Sequence, residues 1–133
     1  MIYSAPRDGR EATPHWKAAR KGQLLLPFCE AHDHFTWPPA QVCPQCGSAI
    51  AWKERSGAGT IVTFSIVRRA VQPEWKDHAP YIVAMIAFEG GGRLMSNIVD
   101  CVPEDVRCGA EVTCSFVETS DPNLGLPVFR LKT

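Results

Sequence analysis

The sequence predicts a mainly β protein, in which a short N-terminal helix and a small cysteine-bearing ribbon precede a five-stranded OB-fold barrel. Three observations support this fold class. The helix signals lie before residue 23, a Cys-Pro-Gln-Cys motif occupies 43–46, and strand-like runs follow one another from residue 60 onward. The length of 133 residues, of which 45% are hydrophobic and 21% charged, is that of one domain with a hydrophobic core.

The N-terminal region is predicted to be an arm followed by a two-turn helix. Residues 1–12 are polar and without pattern, which is typical of a loose arm. In TPHWKAARKG, Thr13 is a candidate N-cap, Pro14 suits the first helical position and Gly22 suits the residue after the last turn. The face expected to anchor the helix consists of Trp16, Ala19 and Arg20.

The ribbon is predicted to occupy residues 23–55, between an N-terminal unit at 1–22 and the barrel at 56–133. QLLLPF at 23–28 is expected to form a short strand that leads to Cys29. GSAIAW at 47–52 is expected to turn and form another. Two metal-binding turns carried on hairpin-like arms are the outline of a zinc ribbon.

The barrel prediction rests on five apolar runs and on the residues between them. The runs lie at 60–70, 80–88, 93–99, 110–119 and 127–131. The triple glycine at 90–92 suits a tight hairpin between the second and third strands. PEDVRCG, from Pro103 to Gly109, suits a helical turn after the third strand. Five strands with a short helix in that place are the order of an OB-fold, whereas a β-sandwich usually needs more strands.

The candidate metal site is built around the motif at 43–46. Zinc prefers four donors in a tetrahedron, and Cys43 and Cys46 offer two thiolates from one turn. Pro44 and Gly47 help that turn to be tight. Cys29 offers a third thiolate from the opposite arm.

The fourth ligand must be one of two neighbouring histidines. The Cys-x-x-His register favours His32, and His34 is the fallback. The predicted ligand set is therefore Cys29, His32, Cys43 and Cys46. This set leaves no open coordination position, so the zinc is expected to be structural. The alternative is a ribbon that has lost its metal and keeps inert buried thiols.

No catalytic residue is predicted. Cys101, Cys108 and Cys114 show no metal-like spacing and are expected to be buried thiols. His15 and His78 stand alone and are expected to be packed or solvated. The sequence contains no phosphate loop after a strand, no serine nucleophile elbow and no paired-carboxylate signature.

Charge argues against nucleic acid as a partner. Lys and Arg number 14 and so do Asp and Glu, and in 56–133 seven Lys and Arg face nine Asp and Glu, a net charge of −2. Single-strand binding needs a positive groove, and Arg68 and Arg69 are expected to face opposite ways on one strand. No apolar run approaches the ~20 residues of a membrane helix, and no secretory signal is evident, which favours the cytoplasm and reduced cysteines.

Taken in order, the motifs resemble those of one family. These are a helix with W and a downstream G-x-L, PP before CPxCGS, W…SGxGTIVTFSIV, PYIVAMIAFEGGGRLMSNIVD, VRCGAEVTCSF and LPVF, from about residue 13 to 131. The arrangement resembles domain-of-unknown-function family thirty-five, a rubredoxin-like zinc ribbon fused to an OB-fold. The sequence departs from the family pattern at His32, where cysteine is usual, and at Ala40, where arginine often follows the two prolines.

The resemblance implies a function inside a complex. Members are similar to accessory subunits of archaeal acetoacetyl-CoA thiolase–synthase assemblies, of phloroglucinol acyltransferase complexes and of aldolases that shorten steroid side chains. The chain is thus expected to be no enzyme by itself, to dock on a thiolase-like enzyme of lipid or steroid metabolism, and to present or channel acyl-CoA, a candidate bound ligand. The alternative function is a nucleic-acid-binding module, which zinc ribbons and OB-folds suggest by analogy of fold.

Two tryptophans are the expected anchors of the partner interface. Trp37 is placed at the ribbon tip and Trp75 in the loop 71–79, although packing between ribbon and barrel is the alternative for both. The barrel is expected to have exposed edges that pair a strand with the partner or pack against it.

Overall fold

Two sheets make up the protein, as seen in a computed structural model that describes residues 3–6 and 11–132. The helix α1 is Thr13–Arg20. The strands are β1 Leu25–Cys29, β2 His34–Phe35, β3 Ala51–Glu54, β4 Ala58–Val67, β5 Tyr81–Ala87, β6 Arg93–Ile98, β7 Glu111–Glu118 and β8 Gly125–Leu131. Short 3₁₀ turns cover Pro73–His78 and Pro103–Asp105. The predicted fold class is confirmed.

The barrel is closed, with the strand order β4-β5-β6-β8-β7 and β7 pairing back onto β4. Neighbouring strands are antiparallel, except that β6 and β8 run parallel and meet at Ile98 and Phe129. Each barrel strand therefore has a hydrogen-bonded neighbour on both sides. Two of these pairings are short, since β7 pairs with β4 at 58–60 and β8 pairs with β6 at Ile98, so the expected exposed edges are limited to the rest of β4 and β6.

Ribbon and barrel share one hydrophobic core. Burial alternates along β5, where Ile82, Ala84 and Ile86 face inward, as expected for a strand with one solvated face. Leu24 and Leu26, which lead into and lie on ribbon strand β1, belong to the same cluster. Leu26 is 0% exposed. The ribbon sheet, ordered β2-β1-β3, is thus packed against the barrel through its central strand.

Helix α1 starts one residue earlier in register than predicted. Ala12 holds the N-cap position and Thr13 is the first helical residue, so Thr13 is not the N-cap. Gly22 lies after the helix with a φ of 79°, as expected for a helix C-terminus. The buried face consists of His15, Ala18 and Ala19, with Trp16 and Arg20 at its margins.

Several predicted ends differ from the structure. β4 ends at Val67, so Arg68 and Arg69 lie in an exposed bend and do not alternate on a strand. The turn after β6 covers Pro103–Asp105 and stops well before Gly109. Three positive φ values at 90–92 confirm the glycine hairpin between β5 and β6.

The N-terminal arm is tied to the barrel at the residues that can be described. Tyr3 forms a parallel bridge with Thr119, and its carbonyl accepts a 2.9 Å hydrogen bond from the Ser120 amide. The rest of the predicted loose arm includes 1–2 and 7–10, which lie outside the described residues. None of the helices in the described ranges has the length and apolar character of a membrane span.

Candidate metal centre

Four side chains from the two arms of the ribbon converge on one point. The donor atoms of Cys29, His32, Cys43 and Cys46 all lie within 4.8 Å of one another. The Sγ atoms of Cys29 and Cys46 are 3.6 Å apart. His32 Nδ1 lies 3.9 Å from Cys29 Sγ and 4.0 Å from Cys43 Sγ. The four predicted ligands are therefore together in space.

Each arm of the site is shaped by its backbone. Cys29 ends β1, and the chain reverses through Asp33, whose φ of 53° is left-handed, before β2. On the other arm the Cys43 amide donates to Ser48 O at 2.8 Å, and the Gly47 amide donates to Cys43 O at 2.8 Å. Gly47 has a φ of 75°, which a residue with a side chain adopts only with strain. The expectation that Gly47 supports the turn is confirmed.

The donor set fits a tetrahedral metal. With a zinc–sulfur bond of about 2.3 Å, two thiolates on a tetrahedron are separated by about 3.8 Å, close to the 3.6 Å between the Sγ atoms of Cys29 and Cys46. Cys29 and Cys43 are buried, while His32 and Cys46 reach the surface. Four protein donors would fill the coordination sphere of such a metal, which is the arrangement of a structural site.

The cysteines of the site differ in their electrostatic surroundings. Interactions with the side chain and then the backbone of Ser48 lower the pKa of Cys46 to about 6, which favours the thiolate that a metal needs. Burial raises the pKa of Cys29. A positive metal ion beside Cys29 would oppose this effect and favour its thiolate.

His34 lies outside the cluster. Its ring centroid is 5.4 Å from that of His32, and it pairs with Cys29 across the β1–β2 hairpin. The geometry thus agrees with the register argument that ranked His32 above His34.

Arg55 fastens the ribbon to the barrel and was missed from the sequence. It follows β3, and its guanidinium lies 4.3 Å from the ring centre of Phe35 and 5.1 Å from that of Phe88. Its Nη2 donates a hydrogen bond to the carbonyl of Glu89, before the glycine hairpin. A cation beside two aromatic rings contributes about 0.5–2 kcal/mol in proteins.

Trp37 packs internally and does not stand free at the ribbon tip. Its ring centroid is 4.6 Å from that of His15, and it is half-buried against the core. His15 is 0% exposed and its Nδ1 donates to Leu25 O at 2.8 Å. Burial lowers the pKa of His15 to about 4, against a smaller opposing effect of that hydrogen bond. The spacing of His15, Ala18 and Ala19 on a helix could have identified this buried face.

The other residues singled out from the sequence are two aromatic side chains of the loop 71–79 and three cysteines of the barrel region. Trp75 is half-buried, with its ring centroid 4.8 Å from that of Tyr81, and His78 is half-buried beside it. Cys101 and Cys114 are half-buried. Cys108 is exposed, so the expectation of a buried thiol is wrong there, because it follows a short turn at the surface.

A Cys and His ribbon packed on a closed barrel defines the class of zinc-ribbon OB-fold proteins, and comparisons with known proteins agree. Residues 16–51 match the model of the ChsH2 rubredoxin-like zinc ribbon domain, and residues 52–117 match the model of the ChsH2 C-terminal OB-fold domain. A DUF35 domain-containing scaffold protein of Methanocaldococcus jannaschii is 38% identical over 104 residues, which are 76% of this chain and 73% of the relative. The chain belongs to the DUF35 family.

Two further comparisons extend over most of the chain. A probable enoyl-CoA hydratase alpha subunit of Thermomonospora curvata is 33% identical over 94% of this chain, which spans only 39% of that relative. A chain of the Ltp2-ChsH2(DUF35) aldolase is 31% identical with a TM-score of 0.82, covering 95% of this chain and 98% of that one. A DUF35 structure from Sulfolobus solfataricus, 16% identical with a TM-score of 0.62, agrees in fold and covers 93% of this chain and 87% of that one.

Proposed function

We propose that this chain is a non-catalytic accessory subunit of a thiolase-superfamily complex, which holds a thiolase, acyltransferase or side-chain-cleaving aldolase together and presents acyl-CoA to it in the cytoplasm. The observation that carries the proposal is the match over 98% of a chain from the Ltp2-ChsH2(DUF35) aldolase, at 31% identity. The name scaffold protein borne by the Methanocaldococcus jannaschii relative supports the same role.

The thiols of the barrel support a role without chemistry of its own. A cysteine nucleophile needs a lowered pKa and access to substrate. Burial raises the pKa of Cys114 to about 12, and burial together with Asp105 and Asp100 raises that of Cys101. In the described part of the chain, the cysteine with a lowered pKa is Cys46, which belongs to the metal cluster.

The proposal includes one structural zinc on Cys29, His32, Cys43 and Cys46. The convergence of four donors and the match to a zinc ribbon domain support it. A zinc ion in such a site supplies folding free energy and takes no part in chemistry. Leu24 and Leu26 would keep β1 of the ribbon packed on the barrel.

The accessory role is tested by mixing the purified chain with a thiolase-like enzyme from the same host. A complex on size-exclusion chromatography with light scattering, together with higher acyl-CoA turnover or stability of the enzyme, is expected. If the two proteins do not associate and the enzyme is fully stable and active alone, the proposal fails.

Two charge insertions on exposed apolar side chains would map the contact. Met95, 64% exposed on β6, and Val71, 92% exposed after β4, lie in different parts of the barrel surface. Met95→Lys and Val71→Lys should both fold, since neither side chain is in the core. Loss of the complex with one and not the other identifies the docking side.

A further inference from the structure

A cavity of about 350 Å³ opens at one end of the barrel and has no role in the metal centre or the proposed scaffold. It lies where β4 ends, β5 begins and β6 ends, since Val67 pairs with Tyr81 and Ile82 pairs with Ile98. Its size is within the range of small-ligand sites, about 300–1,000 Å³. OB-folds commonly bind ligands on their second and third strands and at the loop between the first two, which here are β5, β6 and the loop between β4 and β5. The side chains in that region decide which ligand binds.

Aromatic rings form one wall of the cavity. The ring centroid of Trp75 is 4.8 Å from that of Tyr81 and 5.0 Å from that of His78. Tyr3 closes the group, with its centroid 4.7 Å from His78 and 6.0 Å from Trp75. Because each ring rests on another, and Tyr3 is bridged to Thr119, the wall is preformed.

The charge at the cavity is negative. Among the described residues that line it, Asp100 is the one with a fixed charge at neutral pH. Besides burial, Asp100 raises the pKa of Tyr3, and with Asp105 it raises that of Cys101. The Nη2 atom of Arg130 lies 2.9 Å from Asp100 Oδ2, but Arg130 does not line the cavity and both side chains are more than half exposed. An exposed pair of this kind is weak.

We propose that this cavity binds an organic cation, a guanidinium or alkylammonium group, held against the aromatic wall that contains Trp75 and Tyr3 and beside the carboxylate of Asp100. Aromatic walls with a single carboxylate favour a cation carried on an apolar body, because the negative faces of the rings and the carboxylate attract the same charge. The group comes from a free small amine or from a basic side chain of a protein partner. The site does not depend on the scaffold role.

The test uses choline and its uncharged isostere 3,3-dimethylbutan-1-ol, titrated into the whole zinc-loaded chain. The indole N–H resonance of Trp75, assigned with Trp75→Phe, reports binding. Choline is expected to give a saturable shift and to bind about fivefold or more tighter than the isostere. Equal affinities, or no saturable shift with choline, would overturn the proposal.

Three variants isolate the role of charge. Asp100 has a φ of 58°, which asparagine tolerates, so Asp100→Asn removes the charge without backbone strain and should weaken choline binding about fivefold or more. Arg130→Gln removes a competing cation and should tighten binding. Glu118→Gln, an exposed carboxylate that does not line the cavity, is the control and should change nothing. Unchanged binding in Asp100→Asn contradicts the proposal.

The partner arm distinguishes the two sources. If a basic side chain of a partner fills the cavity, Asp100→Asn weakens the complex and choline competes with its formation. If the ligand is a free amine, the parent and Asp100→Asn form the complex equally well. The two proteins still differ in their affinity for choline.

Discussion

The amide of Phe35 in the ribbon donates a 2.9 Å hydrogen bond to the carbonyl of Gly90 in the barrel hairpin. Phe35 also contacts the ribbon's first strand, with its ring centroid 4.9 Å from that of Phe28, which precedes the candidate ligand Cys29. Phe28 and Phe35 thus connect the candidate metal centre to the β5–β6 hairpin. Order in the hairpin and order in the ribbon are expected to depend on each other.

Gly91→Ala tests how closely the two parts approach. A Cβ there would lie 2.6 Å from Phe35 O, at a φ of 101°, so we expect a loss of about 2–3 kcal/mol in the free energy of unfolding. Gly109→Ala is the matched control, because its φ is 87° but its Cβ would meet open space, and it should lose only about 1 kcal/mol. Urea denaturation of both zinc-saturated variants measures this. Equal losses would contradict the prediction, because they would mean that the hairpin moves away from Phe35 at no additional cost.

Cys43→Ser tests the coupling of metal and fold. Elemental analysis is expected to find one zinc per chain in the parent and much less in the variant, since three ligands hold zinc poorly and ribbon folding depends on the metal. Hydrogen exchange should rise in residues 25–54 before it rises in the barrel. Cys108→Ser, at an exposed cysteine outside the cluster, is the control and should keep its zinc. A parent protein without zinc, made with zinc supplied, would contradict the metal proposal.

The fourth ligand is tested by a pair of histidine variants. His32→Ala should reduce zinc affinity by about tenfold or more in a chelator competition, because it removes a donor that lies 3.9 Å from Cys29 Sγ. His34→Ala should have a much smaller effect, because His34 is outside the cluster of four. The reverse ranking would transfer the ligand role to His34.

Because His15 is buried, the protein is expected to lose stability in mild acid. Its pKa is lowered by burial from 6.5 to about 4, so the unfolded chain takes up a proton first as the pH falls. The free energy of unfolding is therefore fully retained above about pH 6.5 and decreases as the pH falls toward 4. The expected decrease is about 2 kcal/mol between about pH 7 and pH 5. His15→Asn can retain a donor to Leu25 O and does not titrate there. Urea unfolding at the two pH values should show a smaller decrease for the variant, and equal decreases would exclude His15 as the cause.

Nucleic-acid binding is expected to be negligible at physiological salt. The barrel region 56–133 has a net charge of −2, and a binder of single strands needs a positive groove. Fluorescence anisotropy with labelled single-stranded DNA and RNA measures this. Tight binding that weakens steeply with salt would favour the alternative function.

The sequence predicted what depends on local spacing. The glycine hairpin and the turn at Cys43 and Cys46 follow from residues close together in the chain, and the structure brings the four candidate metal ligands together. It did not predict contacts between distant residues. Arg55 reaches the rings of Phe35 and Phe88, and Trp37 packs on His15, across separations that no local pattern reports. Closure of the barrel likewise depends on β6 meeting β8 over a parallel pairing that a list of strands does not contain.

The shared core has a consequence for how the protein can be inherited and recombined. Because Leu24 and Leu26 lie in the same apolar cluster as the barrel residues, a cut between ribbon and barrel would leave an apolar hole in the larger fragment and an uncovered strand on the smaller. A further domain could therefore be fused before or after the pair, whereas an insertion between ribbon and barrel would disrupt the shared core. The Thermomonospora curvata relative aligns with 94% of this chain, a span that includes both the ribbon and the barrel.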